Sequence, residues 1–376
     1  MAEKTNTDVK DVSRSKQSVQ SQKDPKRLTL QLIVTEGCNL SCAYCFEHSK
    51  NSTFMDFDTA MNAVRYYLSG NAELDGEPAY DEVMIDFMGG EPMLAFPMIQ
   101  RIVAAVICPH NNWGKNYGFS MSTNGTLFTE ENKAWFLKHK QLITPMLSFD
   151  GTKTAHDMNR SQSYDVVVAN VDFLNKHWPK QKFKMTVDNR SLPYIADGLF
   201  EILKRGCGVS LNLVHDDVWG DGEQKQKHLK TFETELARIV TFYSKNSAIE
   251  LPNLISLPIQ NCLFKDVDRP KAWCGAGNGM VAIGVDGVKY PCHRFIKFSA
   301  GKSVPLEEFR AWKRKPAENG LCENCKMLPA CPTCQGGNWE RYGNPDKRIT
   351  HNCEMLKLQM VATAAVLVTL KTSVDF

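Results

Sequence analysis

The first 27 residues hold no aromatic side chain and mix both charges. They lack the apolar content that would offset the cost of ordering, and read as a disordered tail. No apolar segment lies near the N-terminus, which excludes a signal peptide there. Long hydrophobic runs are scarce as well. The longest, residues 360–370 (MVATAAVLVTL), is too short and too threonine-rich to span a bilayer, and reads as a buried C-terminal helix. A dominant charge is missing too: 45 Lys and Arg against 42 Asp and Glu leave a net +3, so nothing calls for nucleic acid. The expected setting is the cytoplasm, with neither a membrane nor a nucleic acid as partner.

What the chain does have is cysteine, thirteen in all. Without an export signal, that number argues against a disulfide framework and for metal binding in a reducing compartment. Three of them stand together in residues 35–46 (TEGCNLSCAYCF): Cys38, Cys42 and Cys45, spaced C-x3-C-x2-C. Thiolates are the soft ligands of iron–sulfur clusters. Three of them leave one iron of a [4Fe–4S] cube without a protein ligand, free to bind a small molecule as an open zinc site does. The competing reading is a structural zinc loop, although zinc ligands usually come in two separated pairs.

A length of 376 residues suits two domains. From Leu28 the pattern alternates. Strands are expected at 28–35, 83–88, 117–122, 143–149, 182–187 and 208–214. Helices are expected at 57–68, 98–107, 130–139, 164–177 and 194–205. Strands separated by helices of this length make βα units and a parallel sheet, with chemistry at the C-terminal ends of the strands. A longer helix over 224–244 reads as a bridge. Beyond residue 251, Gly, Pro and Cys become dense and periodicity weakens, as in a small domain held by metal. The expected division is a tail at 1–27, an α/β domain at 28–222, a bridge at 223–260 and a cysteine-rich domain at 261–376.

A C-x3-C-x2-C just after a strand, with the aromatic Phe46 behind the third cysteine, resembles the radical S-adenosylmethionine (SAM) superfamily. The resemblance implies a partial (β/α)6 TIM-like barrel and a [4Fe–4S] cluster on the triplet that chelates and cleaves SAM to a 5′-deoxyadenosyl radical. Gly89-Gly90-Glu91-Pro92 resembles the family's GGEP, implying that Gly89, Gly90 and Glu91 hold the SAM amino group. Residues 122–126 (STNGT) and 148–151 (SFDG) resemble two further motifs and add Ser122, Asn124 and Ser148 as cofactor contacts, together with Phe46. Arg160 could grip a carboxylate with its fork. Each of these stretches is also ordinary turn chemistry, and Arg160 could be a plain surface arginine.

The C-terminal cysteines resemble the SPASM extension, which carries two auxiliary [4Fe–4S] clusters. The resemblance assigns Cys262, Cys274, Cys292 and Cys334 to one and Cys322, Cys325, Cys331 and Cys353 to the other, three clusters in all. The last pair departs from the family pattern, with two residues between Cys331 and Cys334 where three are usual. Cys108 and Cys207 are left over as small hydrophobes. A pair of zinc sites is the alternative for this region. Residues 275–279 (GAGNG) do not match G-x-G-x-x-G and carry no nucleotide-loop reading.

The function implied is a peptide maturase, an oxidoreductase installing a carbon–carbon or thioether cross-link in a ribosomally made precursor peptide. An auxiliary cluster would accept the leftover electron. Expected partners are that peptide, an electron donor such as flavodoxin or ferredoxin and, where another chain presents the substrate, a peptide-recognition protein. The alternative enzyme is an anaerobic sulfatase-maturating, formylglycine-generating one. That group has Gln where this chain has Met88 and Ser122, and an Asp base where it has His293, which could be catalytic itself or merely structural. A non-catalytic zinc-ribbon binding module is the alternative from another class.

Overall fold

The computed structural model describes residues 26–263, 274–312, 320–328 and 331–372. Strands β1 (Arg27–Thr35), β2 (Glu82–Gly89), β3 (Asn116–Thr123) and β4 (Ile143–Leu147) pair in parallel in that order. A single bridge from Ser148 to Lys184 continues the run into β5 (Lys182–Val187) and β6 (Gly208–Leu213), themselves parallel. The result is an α/β fold on a parallel sheet. Leu28, Leu30, Leu32 and Val34 of β1, with Val83, Ile85 and Phe87 of β2, bury in one apolar cluster with the helices, as the two-residue period of strands requires. Helix starts are fixed locally: Asp56, Thr129 and Thr152 each accept a backbone N–H of the first turn they precede, which satisfies a donor the helix itself cannot.

The sequence pattern placed the six strands and their helices to within a few residues. It did not anticipate the short helix Lys153–Asn159, nor Asn253–Leu263 across the end of the expected bridge. The larger departure is at the C-terminal side. Residues 275–279 form the turn into β7 (Met280–Ile283), and β7 pairs in parallel with the free edge of β1, Thr29 beside Met280 and Leu32 beside Ile283. β8 (Lys289–Tyr290) closes an antiparallel hairpin on β7. The cysteine-rich stretch therefore extends the main sheet across the expected division. The apolar run at 360–370 lies in a longer helix, Cys353–Thr372. One side packs, with Gln359 and Thr363 bonded to the Leu254 and Ile255 carbonyls, while Val361 and Val368 stay exposed. By length and composition alone this helix is long and apolar enough to cross a membrane.

Candidate functional site

Cys38, Cys42 and Cys45 lie in the loop that follows β1, over the C-terminal ends of β2 to β4. The loop is tied down at several points. Ala43 N donates to Asn159 O at 2.8 Å and Ser41 N to Ser161 Oγ at 3.0 Å. Asn39 bonds Asn124 and Thr126 at the end of β3. Lys50 Nζ donates to Leu40 O at 3.2 Å. Burial pulls the Lys50 pKa down, but Cys45, Cys38 and Cys42 outweigh it and the net shift is upward. Burial pushes the Cys38 thiol up to about 11 and raises Cys42 as well. Metal coordination, which takes the thiolate, works against that shift.

The glycines after β2 form a cradle for the same loop. A Cβ on Gly89, which sits at φ +145°, would fall 2.1 Å from Thr35 O. One on Gly90 would fall 2.3 Å from Gly37 O and 2.9 Å from Cys38 Cβ. Only a residue without Cβ allows this approach. Glu91 is buried and holds the neighbouring loop: its carboxylate accepts from Thr123 Oγ1 at 2.7 Å, Asn124 N at 2.7 Å and Met93 N at 3.1 Å. Burial pushes Glu91 up to about 7, with those donors opposing. Ser148 continues the row of strand ends, its N–H bonded to Thr123 O.

The carboxylate that Arg160 engages is Asp150's, through Nε at 2.9 Å and Nη2 at 3.2 Å. Tyr44 Oη and Thr186 N donate to the same carboxylate at 2.7 and 3.1 Å. Sequence reasoning missed a polar row inside the sheet. Gln31, Asp86 and Ser120 are in register across β1, β2 and β3. Ser120 Oγ donates to Asp86 at 2.6 Å, and Gln31 stands opposite Asp86 in the register. Lys184 Nζ donates to Ser122 Oγ at 2.6 Å. Burial raises Asp86 and lowers Lys184. His293 meets the row through Gln31 Oε1, which accepts from its N–H and its Nδ1 at 3.2 and 3.1 Å. Its ring lies 5.1 Å from that of Phe46. Burial, with Arg294 and Lys184 adding, pushes the imidazole down to about 3. The signal available in the sequence was a polar residue at an inward position of otherwise apolar strands.

The C-terminal thiols influence one another electrostatically in two sets. Cys334 acts electrostatically on Cys274 and Cys292. Cys322, Cys325, Cys331 and Cys353 act on one another. Cys262 is in the helix Asn253–Leu263, but its side chain lies outside the described residues. Cys207 is buried and Cys108 partly so. Among the described residues no three His, Cys, Asp or Glu side chains converge closely enough to hold one ion. A cube takes one thiolate per iron, so its cysteines sit wider apart than those of a tetrahedral ion. The Nε of Arg294, two residues past Cys292, is buried without a hydrogen-bond partner. An orphaned donor beside grouped thiols fits an acceptor such as a cluster sulfur.

Residues 32–189 match the radical SAM superfamily. Over 353 residues the chain is 21% identical to the radical SAM cyclopropyl synthase TigE of Paramaledivibacter caminithermalis, covering 88% of this chain and 72% of that one. Over 328 residues it is 23% identical to a cysteine-type anaerobic sulfatase-maturating enzyme of Clostridium novyi, covering 79% and 84%. An uncharacterized protein of Methanocaldococcus jannaschii is 41% identical over 102 residues, 27% of this chain, and the match spans only 32% of that protein. Solved structures share the fold, among them the two that follow. One is anSMEcpe with bound AdoMet and the Cp18Cys peptide (TM-score 0.67, 18% identity, 93% of this chain and 100% of that one). The other is Streptococcus suis SuiB bound to precursor peptide SuiA (TM-score 0.56, 15% identity, 86% and 75%). With the C-x3-C-x2-C loop of Cys38, Cys42 and Cys45 seated against the glycine turn inside the matched span, residues 32–189 of this chain are a radical SAM domain.

Proposed function

We propose that this chain is a radical SAM enzyme of the SPASM and sulfatase-maturase type that oxidises a peptide. Its leading reaction is a carbon–carbon or thioether cross-link in a ribosomally made precursor. We read β1 to β6 as a partial barrel and the C-terminal cysteine region as a SPASM domain. The observation that carries this reading is the three-cysteine loop seated on the Gly89–Gly90 cradle at the strand ends. Cys38, Cys42 and Cys45 would hold a [4Fe–4S] cube that, with SAM bound, would supply the 5′-deoxyadenosyl radical.

The rest belongs to this chain's residues. Gly89 and Gly90 let the cysteine loop close down, and Glu91 fixes the Thr123–Asn124 loop beside it. Gln31 Oε1, an acceptor, places the proton of His293 on Nδ1 and leaves Nε2 free to accept. The peptide substrate is supported by the two peptide-bound neighbours. The Clostridium novyi relative supports formylglycine formation equally. Met88, Ser122 and His293 stand where the sulfatase group resembled has Gln, Gln and Asp, and Ser122 is engaged by Lys184, which favours the cross-link.

Anaerobically reconstituted protein with SAM, a reductant and the short peptides encoded beside its gene tests both reactions by mass spectrometry. Loss of two hydrogens with a gap in fragmentation inside a small ring is expected. An aldehyde trapped by a hydrazine reagent would establish the formylglycine reading. No 5′-deoxyadenosine under any of these conditions would overturn both.

A further inference from the structure

Arg294 packs on the start of the helix Gln335–Tyr342, which Cys334 caps: a Cβ on Gly336 would fall 2.5 Å from the Arg294 Cβ. Its Nη2 donates to Glu340 Oε2 at 2.8 Å, and Asp216 stands 3.6 Å from the same nitrogen. The guanidinium carbon lies 4.9 Å from the centre of the Phe46 ring. Glu340 is shared with His48, three residues past Cys45, at 2.9 Å. Only 8% of Arg294 is exposed, and its Nε has no partner.

We propose that Arg294 donates its Nε–H to a sulfur of the cluster held by Cys274, Cys292 and Cys334, and so holds that cluster's reduction potential up. The inference rests on the cluster reading given above. Net charge and hydrogen bonds to the sulfurs are the levers by which a protein sets such a potential. A buried cation favours the reduced form, which carries one more negative charge. Glu340 pulls the other way, since its carboxylate partly neutralises Arg294. The two residues therefore act with opposite sign on one quantity. A mere loss of packing would not produce that pattern.

The test is a potentiometric titration followed by electron paramagnetic resonance. It uses the full chain, anaerobically reconstituted, with Cys38, Cys42 and Cys45 all changed to Ala so that only C-terminal iron contributes. At unchanged iron and sulfide, Arg294→Gln should shift one midpoint to a more negative value. Arg294→Lys, which keeps the charge but loses Nε, should shift it less. Glu340→Gln should move the same midpoint to a more positive value. The cluster of Cys322, Cys325, Cys331 and Cys353 serves as the unshifted reference. Unmoved midpoints at full iron, or shifts of one sign in Arg294→Gln and Glu340→Gln, would overturn the inference. If Arg294→Gln sheds its iron, Glu340→Gln decides. Iron loss from both would show that the pair retains the cluster rather than setting its potential. A background protein with no C-terminal iron at all would instead bring down the cluster reading itself.

Discussion

The Arg160 guanidinium forks onto the Asp150 carboxylate with both side chains enclosed, 7% and 1% exposed. Tyr44 Oη donates to the same carboxylate, so the pair fastens the cysteine loop to the end of β4. Removing one partner of a buried pair leaves an uncompensated charge. Asp150→Ala should cost about 3–5 kcal/mol of stability, read by urea unfolding of the reconstituted protein. A loss within about 1 kcal/mol, the scale of an exposed pair, would show that the site is open to water.

The Gly90 cradle makes a sharper claim. Gly90→Ala places a Cβ against the Gly37 carbonyl and Cys38, neither of which can yield as a flexible side chain would. The variant should lose the iron of the triplet and SAM cleavage with it, while C-terminal iron stays. Gly114→Ala, whose nearest atom is Leu68 O at 3.9 Å, is the control and should keep full iron.

His156 sets an acid limb. It is buried between the Asp150 N–H, which donates to its Nδ1 at 3.3 Å, and Ser163 Oγ, 3.0 Å from its Nε2. Burial pulls it from 6.5 to about 4. As pH falls the unfolded chain takes up the proton first. The contribution is therefore whole above about 6.5, shrinks between 6.5 and 4, and is gone below that. It amounts to about 3 kcal/mol. His156→Gln should flatten this limb in urea titrations at stepped pH; an unchanged slope would refute the assignment.

Changing Cys38, Cys42 and Cys45 together to Ala should abolish 5′-deoxyadenosine formation and lower bound iron from about twelve to about eight per chain, one cube of three. Colorimetric iron and sulfide counts read the result. Retained SAM cleavage in that variant would remove the triplet from the chemistry.

The six strands were legible because each alternates or runs apolar for its whole length, and Cys38, Cys42 and Cys45 because thiol spacing is local. The row of Gln31, Asp86 and Ser120 was not. Each residue shows in its strand as a polar interruption, but only the register between strands puts the three side by side. β7 and β8 escaped for a different reason: four and two residues among glycines carry too little period to read. The His48–Glu340–Arg294 contact joins positions far apart in the chain, which no spacing rule reaches. Glu91 looked like a cofactor residue from its motif; what the structure shows it doing is holding Thr123 and Asn124.

The parallel seat of β7 beside β1 also governs the order in which the molecule can assemble. β1 emerges first, yet one of its two edges stays unpaired until Met280 has been made. Contacts so distant in sequence form late and slowly. Until then the strand leading into Cys38 presents bare N–H and C=O groups, the kind of edge that recruits other chains. A ribosome pausing before Met280, or a truncation there, leaves a sticky nascent protein whose first strand waits on its last third.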